Sequence, residues 1–379
     1  MHVLIAPNAF KHALNAQEAA LAIQAGIEAS KLTCSCECFP IGDGGNGTCR
    51  LIMDRLNGRT VDVVVDDPLG RPVTASFGLI DSGHTAVIEM ADASGLHLIQ
   101  EKELDPLHAN SYGTGQLITA ALDHGARKII IGMGGSATVD GGSGILAALG
   151  VRFLDEAGNV IKDLPFGLSQ LHALDGTALD SRLADCEITV LCDVDNPLLG
   201  ENGAAAVFGP QKGATAEMVA QLEERLRRLA AVVRSAMGRD IAAVPSGGVA
   251  GGASAGVAGL LDARLVNGID YFLQLTRFDD SLSKSQLVIT GEGSIDGQTL
   301  QGKGPYGVAK RAKQLGVPVI GLAGRVPAQI AEELNDYFDL LLPIGNAPTT
   351  LAEALPLTDV NLTRTALQLG NLIAALKIN

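Results

Sequence analysis

The chain has 379 residues, a formal charge of −14 and 47% hydrophobic residues: enough apolar material for two buried cores and too much for a disordered chain. Acidic residues outnumber basic ones 42 to 28, there is no basic run and no Trp, so nucleic acid and anionic membranes are poor partners for it. Its 46 glycines, well above the usual ~7%, point instead to an α/β protein whose loops hold small ligands with backbone amides.

In chain order, 2–7 reads as a short apolar strand without the basic start and long apolar core of a signal peptide, so the expected location is cytoplasmic. Asn15 and Glu18 form a capping-box pattern that opens a helix to about residue 30. A strand over 33–41, a Gly-rich turn, a helix near 48–56 and a strand over 60–65 continue a βα rhythm that implies parallel pairing. Segments 73–80 and 85–90, joined by Asp81-Ser82-Gly83-His84, read as a hairpin. The middle is less regular: a strand over 128–131, a helix from about 144, a strand over 187–192 and a helix over 215–237 striped by Leu222, Leu226, Leu229 and Val233. From 286 the rhythm returns with strands at 287–290, 318–322 and 340–342 and a helix at 307–315. Similar ends around a different middle predict one domain from residues 1–68 plus 285–379, with residues 69–284 inserted as a second α/β domain.

Two segments call for bland assignments. Residues 241–261 carry no charge, but Pro245 and six glycines there predict a buried Gly-rich loop followed by a helix, not a membrane span. Cys34, Cys36 and Cys38 alternate along a strand and so share one face, acting as small hydrophobes. The six cysteines suggest no disulfide framework, and the spacing matches no common zinc pattern.

Four segments can carry chemistry. Gly42-Asp43-Gly44-Gly45-Asn46-Gly47-Thr48 lies between a strand and a helix, where amides approach an anion and Asp43 can take a hydroxyl or a metal; an ordinary tight turn is the alternative. The stretch from Gly132 through Gly134, Gly135, Ser136 and Thr138 to Asp140, Gly141 and Gly142 follows a strand. Gly132, Gly134 and Ala137 fit a relaxed dinucleotide fingerprint with Asp155 at the ribose position, but the long loop suits phosphate and Mg²⁺ better. Cys192-Asp193-Val194-Asp195-Asn196-Pro197 ends an apolar strand, and alternation places Asp193 and Asp195 on one side. Lys212, in Phe208-Gly209-Pro210-Gln211-Lys212-Gly213, can reach a phosphate. Finally, Glu292 and Asp296 precede Gly297-Gln298-Thr299-Leu300-Gln301-Gly302-Lys303-Gly304, a near P-loop lacking the hydroxyl residue that ligates Mg²⁺, with Lys303 just before a helix start. Lys11 sits in the first strand–helix loop. No Ser-His-Asp elbow and no His metal spacing is present.

Taken in order, Ile5-Ala6-Pro7, Asp43-Gly44-Gly45, Gly134-Gly135-Ser136-Ala137-Thr138, Cys192-Asp193-Val194, Asn196-Pro197-Leu198, Phe208-Gly209-Pro210-Gln211-Lys212-Gly213-Ala214, Ile289-Thr290-Gly291-Glu292-Gly293, Asp296, Gln298-Thr299 and Gly302-Lys303 resemble the bacterial glycerate kinase family across the whole chain. The resemblance implies a Rossmann/flavodoxin-like parallel-sheet domain built from both chain ends, an inserted α/β domain and a cleft between them. It also implies ATP-dependent phosphorylation of D-glycerate to 2-phosphoglycerate with Mg²⁺. The chain departs from the family pattern at Asn8 (usually Asp), Asn46 (Glu), Val139 (Asn) and Ser294 (a basic residue).

The roles expected on this reading are Lys212 and Lys303 with the amides of Gly134, Gly135 and Ser136 for the ATP phosphates, and Glu292, Asp296 and Asp140 for Mg²⁺. Asp193 is the first choice to accept the hydroxyl proton. Asp43 is the second, or holds a glycerate hydroxyl; Lys11 pairs with the substrate carboxylate. An NAD-dependent oxidoreductase of a small hydroxy acid, using the Gly132 loop, and a non-catalytic ligand sensor are the rival readings. Nothing in the sequence separates a monomer from a homodimer.

Overall fold

The structure, a computed structural model, describes residues 1–329 and 332–376. Its strands are β1 (His2–Ile5), β2 (Ser35–Cys38), β3 (Arg59–Asp66), β4 (Pro72–Ile80), β5 (Thr85–Glu89), β6 (Lys128–Gly132), β7 (Arg152–Leu154), β8 (Ala173–Asp175), β9 (Glu187–Cys192), β10 (Arg264–Asn267), β11 (Leu287–Ser294), β12 (Val319–Arg325) and β13 (Leu340–Pro343). The chain divides into two units, Met1–Asp43 with Ile269–Asn379, and Gly44–Gly268.

In the first unit all strands run parallel in the order β2-β1-β11-β12-β13. Counted within the unit this is 2-1-3-4-5, the flavodoxin-like order. The apolar runs that form its centre, Val3-Leu4-Ile5 and Leu287-Val288-Ile289, are buried, as a sheet covered on both faces requires. Helix Ala16–Glu28 opens with the expected capping box: Glu18 N donates to Asn15 Oδ1 at 2.9 Å and Asn15 N to Glu18 Oε2 at 2.8 Å. It packs Ile23 and Ile27 against Leu362 and Leu369 of helix Thr358–Ala375, which it can approach because a Cβ at Gly26 would overlap the Thr363 carbonyl. Cys34, Cys36 and Cys38 pack against this core, and burial pushes the Cys36 thiol up to about 12 and Cys38 to about 11. Cys36 and Cys38 therefore favour the protonated thiol and pack as small hydrophobes.

The second unit holds a six-stranded sheet in the order β10-β9-β6-β5-β4-β3. Strands β10, β9, β6 and β5 are parallel, while β5-β4-β3 is an antiparallel meander turned by Asp81–Gly83. A separate ribbon pairs β7 with β8. Helix Ala216–Met237 buries Leu222, Leu226, Leu229 and Val233 as the stripe predicts. In 241–261 a buried turn at Val249–Gly252 leads into helix Ala253–Leu261. Ala250, Gly251 and Gly252 have φ of 53°, 66° and 89°, and a Cβ on Gly251 would overlap the Thr138 carbonyl. No helix among the described residues is long and apolar enough to cross a membrane.

Both unit boundaries differ from the expected ones at 68 and 285. Strand β3 pairs with β4 along its whole length, and helix Thr48–Arg55 lays Met53 into the space left by Gly78, so 44–68 belong to the second unit. On the other side, Phe278 stacks edge-on against Phe39 at 5.0 Å and Gly307 leaves room for Ile269, so 269–284 belong to the first.

Candidate active site

In the first unit, β1 and β11 are adjacent, and the chain continues from β1 to β2 on one side and from β11 to β12 on the other. Their carboxyl ends therefore form the topological switch point, where open α/β sheets bind ligands. The pairing runs on past the strands: Asn8 N donates to the Gly291 carbonyl at 2.8 Å and Ile41 N to the Pro7 carbonyl at 3.0 Å. This carries Asn8, Asp43 and Glu292 to the same edge. Asn8 is buried; its Oδ1 accepts from Ala9 N, and its Nδ2 donates to Asp43 Oδ2 at 2.7 Å. Burial pushes the Glu292 carboxyl up to about 7; Lys303 opposes this, Asp43 adds to it, and a hydrogen bond from Thr299 Oγ1 at 3.1 Å and Lys11 oppose it. Asp296 caps the turn Gly297–Gln301, its Oδ1 accepting from Gln298 N at 2.9 Å and its Oδ2 from Ser294 Oγ at 3.2 Å. Lys303 is the N-cap of helix Gly304–Gln314, whose start comes so close to Asn8 that a Cβ on Gly304 would lie 2.9 Å from Asn8 Nδ2. Lys11 is exposed in the loop after β1. The structure thus brings Lys11, Asp43, Glu292 and Lys303 into one cluster, with Asp296 bound into the turn beside it.

In the second unit the carboxyl ends of β5, β6 and β9 share one edge. Gly132 of β6 pairs with Leu191 of β9, so Gly134 and Asp193 leave the sheet from neighbouring strands at the same level. The turn at 44–47 is wedged against both: Gly44, at φ 99°, would bring a Cβ within 3.1 Å of the Leu191 backbone, and a Cβ on Gly134 would lie 2.6 Å from Asn46 N. Among the described residues no protein oxygen is shown accepting the amides of Gly134 and Gly135, which unlike Ser136 reach the surface, so these two successive donors can meet an anion. Behind them, Lys212 is 2% exposed and its Nζ donates to Ser136 Oγ at 2.9 Å and to the Thr138 carbonyl at 2.6 Å. Burial lowers its ammonium to about 7, Asp140 opposing. Lys212 therefore braces the loop from beneath and does not project from it. Asp193 is half-buried; it and Asp195 lie near Cys192, whose thiol burial raises to about 12. Asp195 is exposed and accepts from Ser246 Oγ at 3.3 Å.

Besides Lys212, two expectations need correction. Asp140 is fully buried and accepts hydrogen bonds from Ser111 N and Oγ, Gly142 N and Gly144 N, so its carboxylate organises the loop from within instead of facing a ligand at the surface. The dinucleotide reading fails on topology. After the loop the chain forms only helix Ser143–Ala148, and β7 then joins the antiparallel ribbon instead of lying parallel beside β6. Asp155 is spent on a tight turn, accepting from Asn159 N at 2.8 Å.

One contributor was missed altogether. Glu89, the last residue of β5, is buried and accepts from Gly47 N at 2.6 Å and Cys49 N at 3.2 Å; burial pushes it to about 7. A glutamate closing the apolar run Ala86-Val87-Ile88 was its signal in the sequence.

The model of the Glycerate kinase family matches residues 3–374. The chain is 45% identical to "Glycerate kinase" of Bacillus subtilis (strain 168), covering 97% of this chain and 96% of that one. It is 42% identical to "Glycerate 2-kinase" of Escherichia coli (strain K12), with 93% of each covered. A crystal structure from Salmonella typhimurium LT2, provisionally named glycerate kinase 2, superposes with a TM-score of 0.84 at 42% identity, covering 99% of this chain and 98% of that chain. Matched by the family model over residues 3–374 and by relatives at 42–45% identity over nearly its whole length, the chain belongs to the glycerate kinase family.

Proposed function

We propose that this phosphotransferase moves the γ-phosphoryl group of ATP onto the 2-hydroxyl of D-glycerate, in the cytoplasm. The observation that carries the reading is the edge of the second unit, where the loop of Gly134, Gly135 and Ser136, with the first two amides not accepted by protein, leaves the sheet at the level of a strand-end carboxylate, Asp193. Phosphoryl transfer asks for little more than positioning and charge neutralisation. In the second unit the amides cradle phosphate oxygens and Asp193 accepts the hydroxyl proton; in the first, Lys303 is a point charge suited to phosphate. Lys11 pairs with the glycerate carboxylate, and Asp43, held by Asn8, orients the acceptor.

The residues suit Mg²⁺ arriving with ATP. Among the described residues no three or more His, Cys, Asp or Glu form a metal cage, whereas Mg²⁺ ordinarily takes one or two carboxylates plus phosphate oxygens and water. Glu292, with Asp296 nearby, supplies that pair on this reading, and the ion would neutralise charge on the transferred group. Incubation with ATP, Mg²⁺ and D-glycerate should yield a phosphoester that NMR assigns to carbon 2. A carbon-3 ester would overturn the regiochemistry, and no phosphoester would overturn the reading.

Two lysine variants separate direct contact from support. Lys303→Ala is expected to raise KM for ATP more than for glycerate, since a point cation recognises phosphate charge; steady-state kinetics with the reverse pattern would move Lys303 to the acceptor. Lys212→Met keeps the apolar stem but leaves the Thr138 carbonyl and Ser136 hydroxyl without their donor. KM for ATP should rise roughly tenfold with a smaller change in kcat. An unchanged KM would show that the loop holds its shape unaided.

A further inference from the structure

Helix Thr48–Arg55 starts without a cap of its own: Gly47, at φ 83°, occupies the cap position and offers no side chain. Its amides are taken from across the fold. Glu89 Oε1 accepts Gly47 N and Oε2 accepts Cys49 N, while the Cys49 thiol donates to the Ile88 carbonyl at 3.2 Å. Both carboxylate oxygens are thus engaged in fixing the 44–47 turn. That turn is one wall of the 134–136 loop and packs backbone to backbone against it, because a Cβ on Gly134 would lie 2.6 Å from Asn46 N.

The opposite wall also begins at Glu89. The chain runs directly from it into helix Met90–Ser94 and then bridges Gly95 to Ser136, with Leu96 N donating to the Gly135 carbonyl and Ala137 N to the Ser94 carbonyl, each at 2.9 Å. One wall is held by the side chain of Glu89, and the other is the chain that follows it, held by Ser94 and Leu96.

We propose that Glu89 is a positioning residue that sets the 134–136 loop for ATP through its ionised carboxylate, whose two oxygens each accept one amide of the neighbouring turn. The proposal rests on the assignment of that loop to the ATP phosphates. Two amide donors face the carboxylate, so the ionised form satisfies both, whereas a protonated carboxyl places a hydrogen on one of the two accepting oxygens. The titratable and charged groups around it are Cys49 and Arg50 on the helix, and Asp92 and His97 on the following segment; they line, with Glu89, a cavity of about 390 Å³. Asp92 adds to the upward push that burial exerts on Glu89, and the two amides oppose it.

The test is the pH dependence of KM for each substrate in wild type, Glu89→Gln, Glu89→Asp and Asp92→Asn. At pH 8, Glu89→Gln should raise KM for ATP roughly tenfold, the worth of about one hydrogen bond to a charged group, with kcat and the glycerate KM changed far less. Wild-type affinity for ATP should improve between pH 6 and 8, and that improvement should be missing from Glu89→Gln. Glu292 and Lys212 also titrate near neutrality, so the difference between the two profiles isolates Glu89. Asp92→Asn should keep the plateau and move the midpoint to lower pH. Glu89→Asp should recover part of the pH-dependent gain, which covers the case in which the glutamine variant does not fold. Unchanged KM values for both substrates in Glu89→Gln, or an unaltered pH difference, overturn the proposal. A rise in the glycerate KM alone would instead keep Glu89 as a positioning residue and overturn the assignment of the loop to ATP.

Discussion

Asp193→Asn lowers kcat by on the order of 10²–10⁴, the range of a lost general base, while folding and ATP affinity persist. The residue follows the last position of β9, a strand whose buried side chains fix the backbone up to Cys192. It leaves the sheet at the level of Gly134 on the neighbouring strand, so a hydroxyl it accepts a proton from would lie close to a phosphate held by the loop. Asparagine keeps the shape and removes the basic lone pair at stake. Single-turnover rates and ATP binding by calorimetry check this together: near wild-type turnover removes Asp193 from proton transfer. In that case Asp43→Asn becomes the variant that must show the collapse in kcat. If Asp43 only orients the acceptor, its substitution raises the glycerate KM with a smaller loss in kcat.

What was legible in the sequence followed the strength of local signals. The capping box at Asn15 and Glu18, the apolar runs of β1, β9 and β11, and the leucine stripe of Ala216–Met237 each specify an element without help from distant residues. The division of the chain was harder to read. Strand β3 follows two βα units and so invites a parallel assignment, yet Val61, Val63 and Val65 alternate with Asp62, Val64 and Asp66, and Val64 is 72% exposed. That is the pattern of a half-solvated edge, which pairs antiparallel with β4. Lys212 and Asp140 show a different limit. Both residue types match ligand chemistry, but whether a charged group projects from a loop or braces it depends on burial, which spacing does not encode. Glu89 was overlooked because its partners are backbone amides forty residues away.

Glu292→Gln is expected to stabilise the protein at pH 8 and to impair it as an enzyme. The wild-type carboxyl sits at about 7 against an ordinary 4.5, with burial the main cause and Asp43 adding to it. A carboxyl raised in this way favours the folded state fully below pH 4.5, and that contribution is lost as pH rises through about 7. The ionised carboxylate therefore costs the fold about 3 kcal/mol above neutrality, and the isosteric amide, neutral throughout, avoids most of this. Thr299 can still donate to the amide oxygen, so the packing is preserved. The melting temperature of the variant should exceed that of wild type at pH 8, by an amount equivalent to ~1–3 kcal/mol, and the gap should close by pH 4.5. Over the same pH range kcat/KM for MgATP should fall below wild type, because the charge that burdens the fold is the one proposed to meet the metal. A gain in melting temperature of equal size at both pH values would show that Glu292 is not ionised in the folded protein at pH 8. Unimpaired MgATP kinetics alongside the pH-dependent gain would place the metal elsewhere in the cluster and leave Glu292 as a buried charge without a catalytic use.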